Sequence, residues 1–204
     1  MISQMKFHRF SNYGFYEDFD GNELTNDIIE KYCNLSFEEQ YNRFKKWFPH
    51  AQPREMRLSD YSVTIKYIEV YKKIAEGNDP YALILEDDSI LDTDFVLKFR
   101  KMYEETPKTY DMIFLGSGCN LHAENIVDGK SVYLKGHPAA RCVSATVIKK
   151  ETCQTLLETI IPFSLCIDWE LNYQMDLHNH EVYWWEPPLV LQGSEIGVYK
   201  TSMR

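Results

Sequence analysis

Basic residues are the scarce component of this sequence: 22 Lys and Arg stand against 31 Asp and Glu, for a formal net charge of -9 and a pI near 5.2. Phosphate-backbone binding is driven by clustered Lys and Arg, so no nucleic-acid partner is expected. An anionic small molecule stays open, because a divalent cation in an acidic pocket reverses the local sign of the field. Cysteine is sparse and unpatterned. Cys33, Cys119, Cys142, Cys153 and Cys166 are odd in number and never spaced C-x-x-C, which argues against a disulfide framework or a zinc cluster and for a reducing compartment. No stretch approaches the run of about twenty apolar residues that a spanning helix needs, and the first residues carry no apolar core of signal-peptide length. The expectation is a cytoplasmic chain with no integral membrane segment.

What is present suffices for one core. The 204 residues are 44% hydrophobic and 14% aromatic, which suits a single domain spanning 1–204. Residues 1–50 are aromatic, acidic and poorly periodic, and read as largely irregular, with a turn signal at Asp18-Phe19-Asp20-Gly21-Asn22. Ser36-Phe37-Glu38-Glu39 has the form of a capping box and predicts a short helix ended by Pro49. A second helix is expected over about 60–76, where Tyr61, Ile65, Ile68 and Tyr71 share a face and Gly77 supplies the stop. The period then changes. Tyr81-Ala82-Leu83-Ile84-Leu85 is a continuous apolar run, as in a strand buried on both faces. A helix from about 93, strands at 111–116, 131–134, 142–148 and 181–185, and helices at 151–160 and 168–177 follow. This alternation predicts an α/β fold with a mixed, mostly parallel central sheet flanked by helices. Residues 193–204 read as a mobile tail.

In open α/β sheets, ligands bind beyond the carboxyl ends of the strands, which is where Glu86, Asp87 and Asp88 fall. Three adjacent carboxylates repel one another, and a divalent cation with hard oxygen ligands relieves such a cluster. Period-2 alternation sends Glu86 and Asp88 to one side and Asp87 to the other. Asp88 is expected to touch the metal directly, with Glu86 near a ligand's ribose or a metal-bound water. The bland alternative is a set of solvated acids capping the next helix.

The run Leu83-Ile84-Leu85-Glu86-Asp87-Asp88-Ser89-Ile90-Leu91 resembles the strand-plus-acidic motif of glycosyltransferase family 25, which includes bacterial lipooligosaccharide galactosyltransferases and collagen hydroxylysine galactosyltransferases. Other segments match in order. Phe19-Asp20-Gly21 followed by Leu24 looks like the family's early F-D-G-x-x-L segment, and Leu58-Ser59-Asp60 through Tyr71-Lys72-Lys73-Ile74 resembles the helix before the acidic strand. Tyr110-Asp111-Met112-Ile113-Phe114-Leu115-Gly116 resembles its W-D-hydrophobic-LG strand, and Ala145-Thr146-Val147-Ile148 with Leu156-Leu157 the strand-helix pair after it. Ile167-Asp168-Trp169-Glu170 looks like its V-D helix start, and Glu186-Pro187-Pro188-Leu189-Val190 its late proline-bearing strand. The likeness covers roughly 15–195, and no single motif is decisive. Two departures stand out: nothing before Phe19 matches the family's opening I-N-L-x-R-x-x-R strand, and its Ser-His pair is here Lys66-Tyr67.

The resemblance implies a GT-A-like nucleotide-sugar-binding fold, Mn2+ or Mg2+, and a nucleotide diphosphate sugar, a UDP-sugar, as donor. It implies transfer of a galactose-like hexose, with inversion, to a hydroxyl on a glycan, lipid-linked glycan or protein. On this reading Asp88 and Glu86 hold the metal, and Glu86, Asp87, Arg141 and Lys200 contact the donor. A carboxylate near the acceptor removes its proton, with Asp168 the first candidate and Glu170 the second. A helix N-cap is the structural alternative for Asp168. His178 and His180 are candidate metal nitrogens or a solvated loop, and Tyr183, Trp184 and Trp185 a sugar-stacking platform or core. Gly116-Ser117-Gly118 lacks the lysine and spacing of a phosphate loop. The rival functions are a metal-dependent nucleotidyltransferase and a non-catalytic carbohydrate-binding relative.

Overall fold

A computed structural model describes residues 1–34, 36–51, 53–136 and 140–199 of the chain. The first fifty residues are more regular than their composition predicts: α1 (Ile2–Phe7), a 3-10 turn (Gly21–Glu23), α2 (Asn26–Tyr32) and α3 (Phe37–Phe44) lie within them. The last two start at hydroxyl caps, Thr25 accepting from Ile28 N and Ser36 from Glu39 N, each at 3.4 Å. Helix α4 (Leu58–Glu76) then buries Ile65, Tyr67, Ile68 and Tyr71. Asp60 in its first turn reaches back to Arg57 N at 2.7 Å, and Gly77 ends it.

The chain continues as β1 (Tyr81–Leu85), β2 (Ser89–Leu91), α5 (Phe95–Glu105), β3 (Met112–Phe114), β4 (Gly116–Ser117), β5 (Val132–Leu134), β6 (Ala145–Lys149), α6 (Lys150–Leu157), α7 (Ile167–Leu177), β7 (Val182–Trp185) and β8 (Val190–Gln192). Five strands form one sheet in the order β1-β6-β3-β7-β5, and three form a small sheet, β2-β8-β4. The fold is therefore mixed α/β, with a mixed sheet flanked by helices. The expected mostly parallel arrangement is corrected. Strands β1, β3 and β7 share a direction, but β6 runs the other way between β1 and β3, and β5 runs antiparallel to β7, so β3 and β7 are the one parallel pair of neighbours in the larger sheet among the described residues. An apolar run carries no mark of its neighbour's direction.

Strand β1 is likewise an edge strand, half-exposed along its length, whereas β3 and β6 in the interior are almost wholly buried. The β6 strand starts at Ala145 rather than 142 because Cys142 and Val143 have φ of 57° and 43°, which extended chain cannot accommodate. Alternation along β3 splits the core. Met112 and Phe114 pack with Ile65, Ile68, Leu156 and Leu171 under α4, α6 and α7, while Ile113 packs with Phe95, Met102 and Trp185 under α5. Residues 193–199, expected as the start of a mobile tail, fold into turns. Gly193 N donates to Asp88 O at 2.9 Å, and Val198 N returns to Gly193 O at 2.9 Å. No helix among the described residues is long and apolar enough to cross a membrane.

Candidate active site

The shared direction of β1, β3 and β7 puts their carboxyl ends on one edge, and the acidic run continues from it. Glu86 N donates to Ser144 O at 3.0 Å, which holds the run against the start of β6 after β1 has ended. Beyond that bond the three acids diverge. Asp87 is exposed and lines an open cleft of about 470 Å3 with Met1, Ile2, Ser3, Phe15 and Glu17. The N-terminal wall is fixed there by Gln4, whose amide donates to Ser89 O at 2.7 Å and accepts from Leu91 N at 2.8 Å.

Glu86 and Asp88 face the interior instead. Burial pushes the Glu86 carboxyl well above the usual carboxylate range; the charges of Asp168, then Asp88 and Asp87, push the same way, and the Tyr67 hydroxyl works against them. Asp88 accepts from Ser194 N at 3.1 Å through Oδ2. Its Oδ1 is buried without a hydrogen-bond partner, and so is Oδ1 of Asp168. Asp168 stands in the first turn of α7, whose N-cap is Cys166, so it does not fill the capping role that was its structural alternative. Desolvation raises its carboxyl to about 7; the Asp60 charge adds to the rise and Arg54 opposes it. Arg54 grips Asp60 with two bonds of 2.6 Å, so their opposite charges act on Asp168 together, and burial is the largest cause of its rise. A second cavity of about 270 Å3, lined by Phe44, Arg54, Cys166 and Trp169, opens on that side.

Tyr67 links these groups. Its buried hydroxyl donates to Val143 O at 2.8 Å and feels the charges of Glu86, Asp168 and Asp88. Val143 is itself β-branched with φ of 43°, a costly conformation of the kind that collects at functional sites.

Several expected site residues lie elsewhere or are already engaged. Glu170 is fully buried; it pairs with Arg43 at 2.6 Å and accepts from Ser164 N, Leu165 N and Gln174, which leaves no free acceptor for a substrate proton. Arg141 is fully buried, paired with Glu186, bonded to Trp185 O at 3.1 Å and stacked over Trp184 at 4.5 Å, so it cannot clasp a phosphate. Lys200 lies outside the described residues. Trp184 and Trp185 are core, and Tyr183 bonds Glu181, which removes the stacking platform. His178 bonds Thr159 at 2.7 Å, and His180 lies 3.4 Å from Asp111, at the opposite end of β7 from the acids. Sequence reading missed Phe15, Glu17 and Gly193 as site builders and met Tyr67 only as a departure. The turn after β8 was the hardest of these to see, because its contact with Asp88 spans over a hundred positions.

Asp88 Oδ1 is a hard, unpartnered oxygen of the kind that suits a divalent cation, and Glu86 feels the charges of both Asp88 and Asp168. No group of three or more His, Cys, Asp or Glu side chains among the described residues converges at metal-ligand spacing. The remaining ligands of such a cation would therefore come from a bound substrate and solvent, a common arrangement for magnesium-type sites. The chain matches no protein-family model and no curated protein.

Proposed function

We propose that the chain belongs to the metal-assisted transferases that act on activated sugars. Within that class, the sequence resemblance favours a glycosyltransferase of the family 25 type, moving a galactose-like hexose from a nucleotide diphosphate sugar to an acceptor hydroxyl. The observation that carries this reading is the pair of buried, unpartnered carboxylate oxygens on Asp88 and Asp168, whose charges both act on Glu86.

Asp88, with Glu86, would hold Mn2+ or Mg2+, which neutralises charge building on the diphosphate leaving group. Gly193 and Ser194 fix the Asp88 backbone and Oδ2, so that Oδ1 stays aimed and free. Asp168 takes the proton from the attacking hydroxyl; a carboxyl raised to about 7 matches a general base near neutrality. Tyr67 positions the Glu86 side of the site through its bond to Val143. The open cleft beside Asp87, next to Asp88, is the route assigned to the donor, and the cavity at Cys166 and Trp169, which bracket Asp168 in sequence, is the route assigned to the acceptor.

The test is a panel of nucleotide sugars incubated with the protein and Mn2+. Release of nucleoside diphosphate is the expected result. Release of pyrophosphate would make the protein a nucleotidyltransferase, and donor binding without turnover a carbohydrate-binding module.

A further inference from the structure

Apart from the carboxylates, two of the thiols face each other. Cys119 Sγ and Cys142 Sγ lie 3.3 Å apart and unbonded, although 23 positions separate them in the chain. Their approach is built from independent links. Gly118 N donates to Arg141 O at 3.2 Å, Arg141 Nε donates to Leu121 O at 2.8 Å, and Ser117 Oγ donates to the same carbonyl at 2.9 Å. Arg141 is in turn locked by Glu186. A Cβ on Gly118 would sit 2.5 Å from Cys142 Sγ, so glycine is what lets the two turns come this close. Positive φ at Cys119 (53°) and Cys142 (57°) turns both backbones at the point of contact. Cys119 is exposed, which gives a soluble oxidant access, and Cys142 is partly buried behind it.

We propose that Cys119 and Cys142 are a redox-active dithiol that closes to an intramolecular disulfide by exchange with a small-molecule disulfide such as oxidised glutathione. The sulfurs need to approach by about 1.3 Å to reach bonding distance. The Cys119 thiolate attacks one glutathione sulfur and expels one glutathione thiolate. Cys142 Sγ then attacks Cys119 Sγ in the mixed disulfide and expels the second glutathione thiolate, which takes up the Cys142 proton. Two protein thiols are oxidised by two electrons, and one small disulfide is reduced to two thiols. The exchange uses none of the groups proposed for sugar transfer, although Cys142 feels the charge of Asp168 and adjoins Val143, which accepts the Tyr67 bond beside Glu86.

The full chain is equilibrated in glutathione buffers of graded redox ratio, alkylated, and mapped without reduction by mass spectrometry. Expected are the loss of two hydrogen atoms from the intact mass and one linked peptide pair holding Cys119 and Cys142, reversed by dithiothreitol. C119S abolishes the bridge, C142S traps glutathione on Cys119, and a variant lacking the other three thiols keeps the bridge. If that last variant does not fold, the wild-type map decides alone. Cys119 and Cys142 both reduced or only singly glutathionylated at every ratio, or a bridge through Cys33, Cys153 or Cys166, would overturn the proposal.

Discussion

Asp168 and Glu170 stand two residues apart in one helical turn, and their surroundings give them opposite work. Every acceptor position offered to Glu170 is taken, by Arg43, Gln174 and two backbone amides, whereas Oδ1 of Asp168 is sealed from water with none. Substituting Asp168→Asn is therefore expected to leave the protein folded and cut turnover by about 10²- to 10⁴-fold, read as nucleoside diphosphate release beside an unchanged donor-induced thermal shift. Glu170→Ala leaves the buried Ser164 and Leu165 amides without their acceptor and Arg43 with Glu39 alone as a carboxylate partner, and is expected to cost roughly 1–3 kcal/mol of stability, measured by urea denaturation. Arg141→Ala belongs with it, because buried Glu186 would lose its guanidinium partner and keep only His122 and the Ala123 amide: unfolding at lower urea is the expected outcome, and intact stability with weakened donor binding would return Arg141 to the phosphate role. None of this was legible in the sequence. An isolated Arg is ordinarily a surface charge, and only packing distinguishes the acid at 168 from the acid at 170.

Elements were far more legible than pairings. The helix over Leu58–Glu76, the strand Tyr81–Leu85 and the helix Ile167–Leu177 follow from periodicity and stop signals carried within each segment. Helix α2 was legible too but missed, since Thr25 followed by Asp27 is a cap and a first-turn acid. Pairings were not legible, because hydrogen bonds between β2 and β8 or from Gly193 to Asp88 join residues about a hundred positions apart. The Gly193 contact yields a test. An added Cβ there would lie 2.7 Å from the backbone oxygen of Asp88, which cannot swing away, and closer still to the Tyr199 ring. Gly193→Ala should thus lift the turn from Asp88 and abolish the Mn2+-dependent stabilisation by nucleotide sugar. Gly14→Ala, with nothing within 4 Å of the new Cβ, should leave it intact. Equal thermal shifts in the two variants would detach this turn from the site.

At the scale of the whole molecule, gathering buried carboxylates at one edge of the sheet has a stability consequence that titration can read. Asp168 is raised from 3.8 to about 7 in the folded chain. Between those values the native state holds a proton that the unfolded chain has released, so its contribution is full below about pH 4 and is lost as pH rises to about 7. Above that both states are ionised and the curve is flat in this group, with a total loss on the order of a few kcal/mol. Asp60 and Asp92, held below the usual range by Arg54 and Lys98, act with the opposite sign, losing stability as pH falls. Those two remain in Asp168→Asn and cancel in a comparison with wild type, whereas the Asp168 titration disappears. Glu86 stays, but the largest charge raising it is gone, so its own downward slope with pH shrinks as well. Urea midpoints of the two proteins measured across about pH 4–8 should therefore diverge: wild type declines relative to the variant, and the variant is the more stable at the alkaline end. Parallel curves would mean that Asp168 is solvated in the folded chain, which would remove the ground for proposing it as a general base.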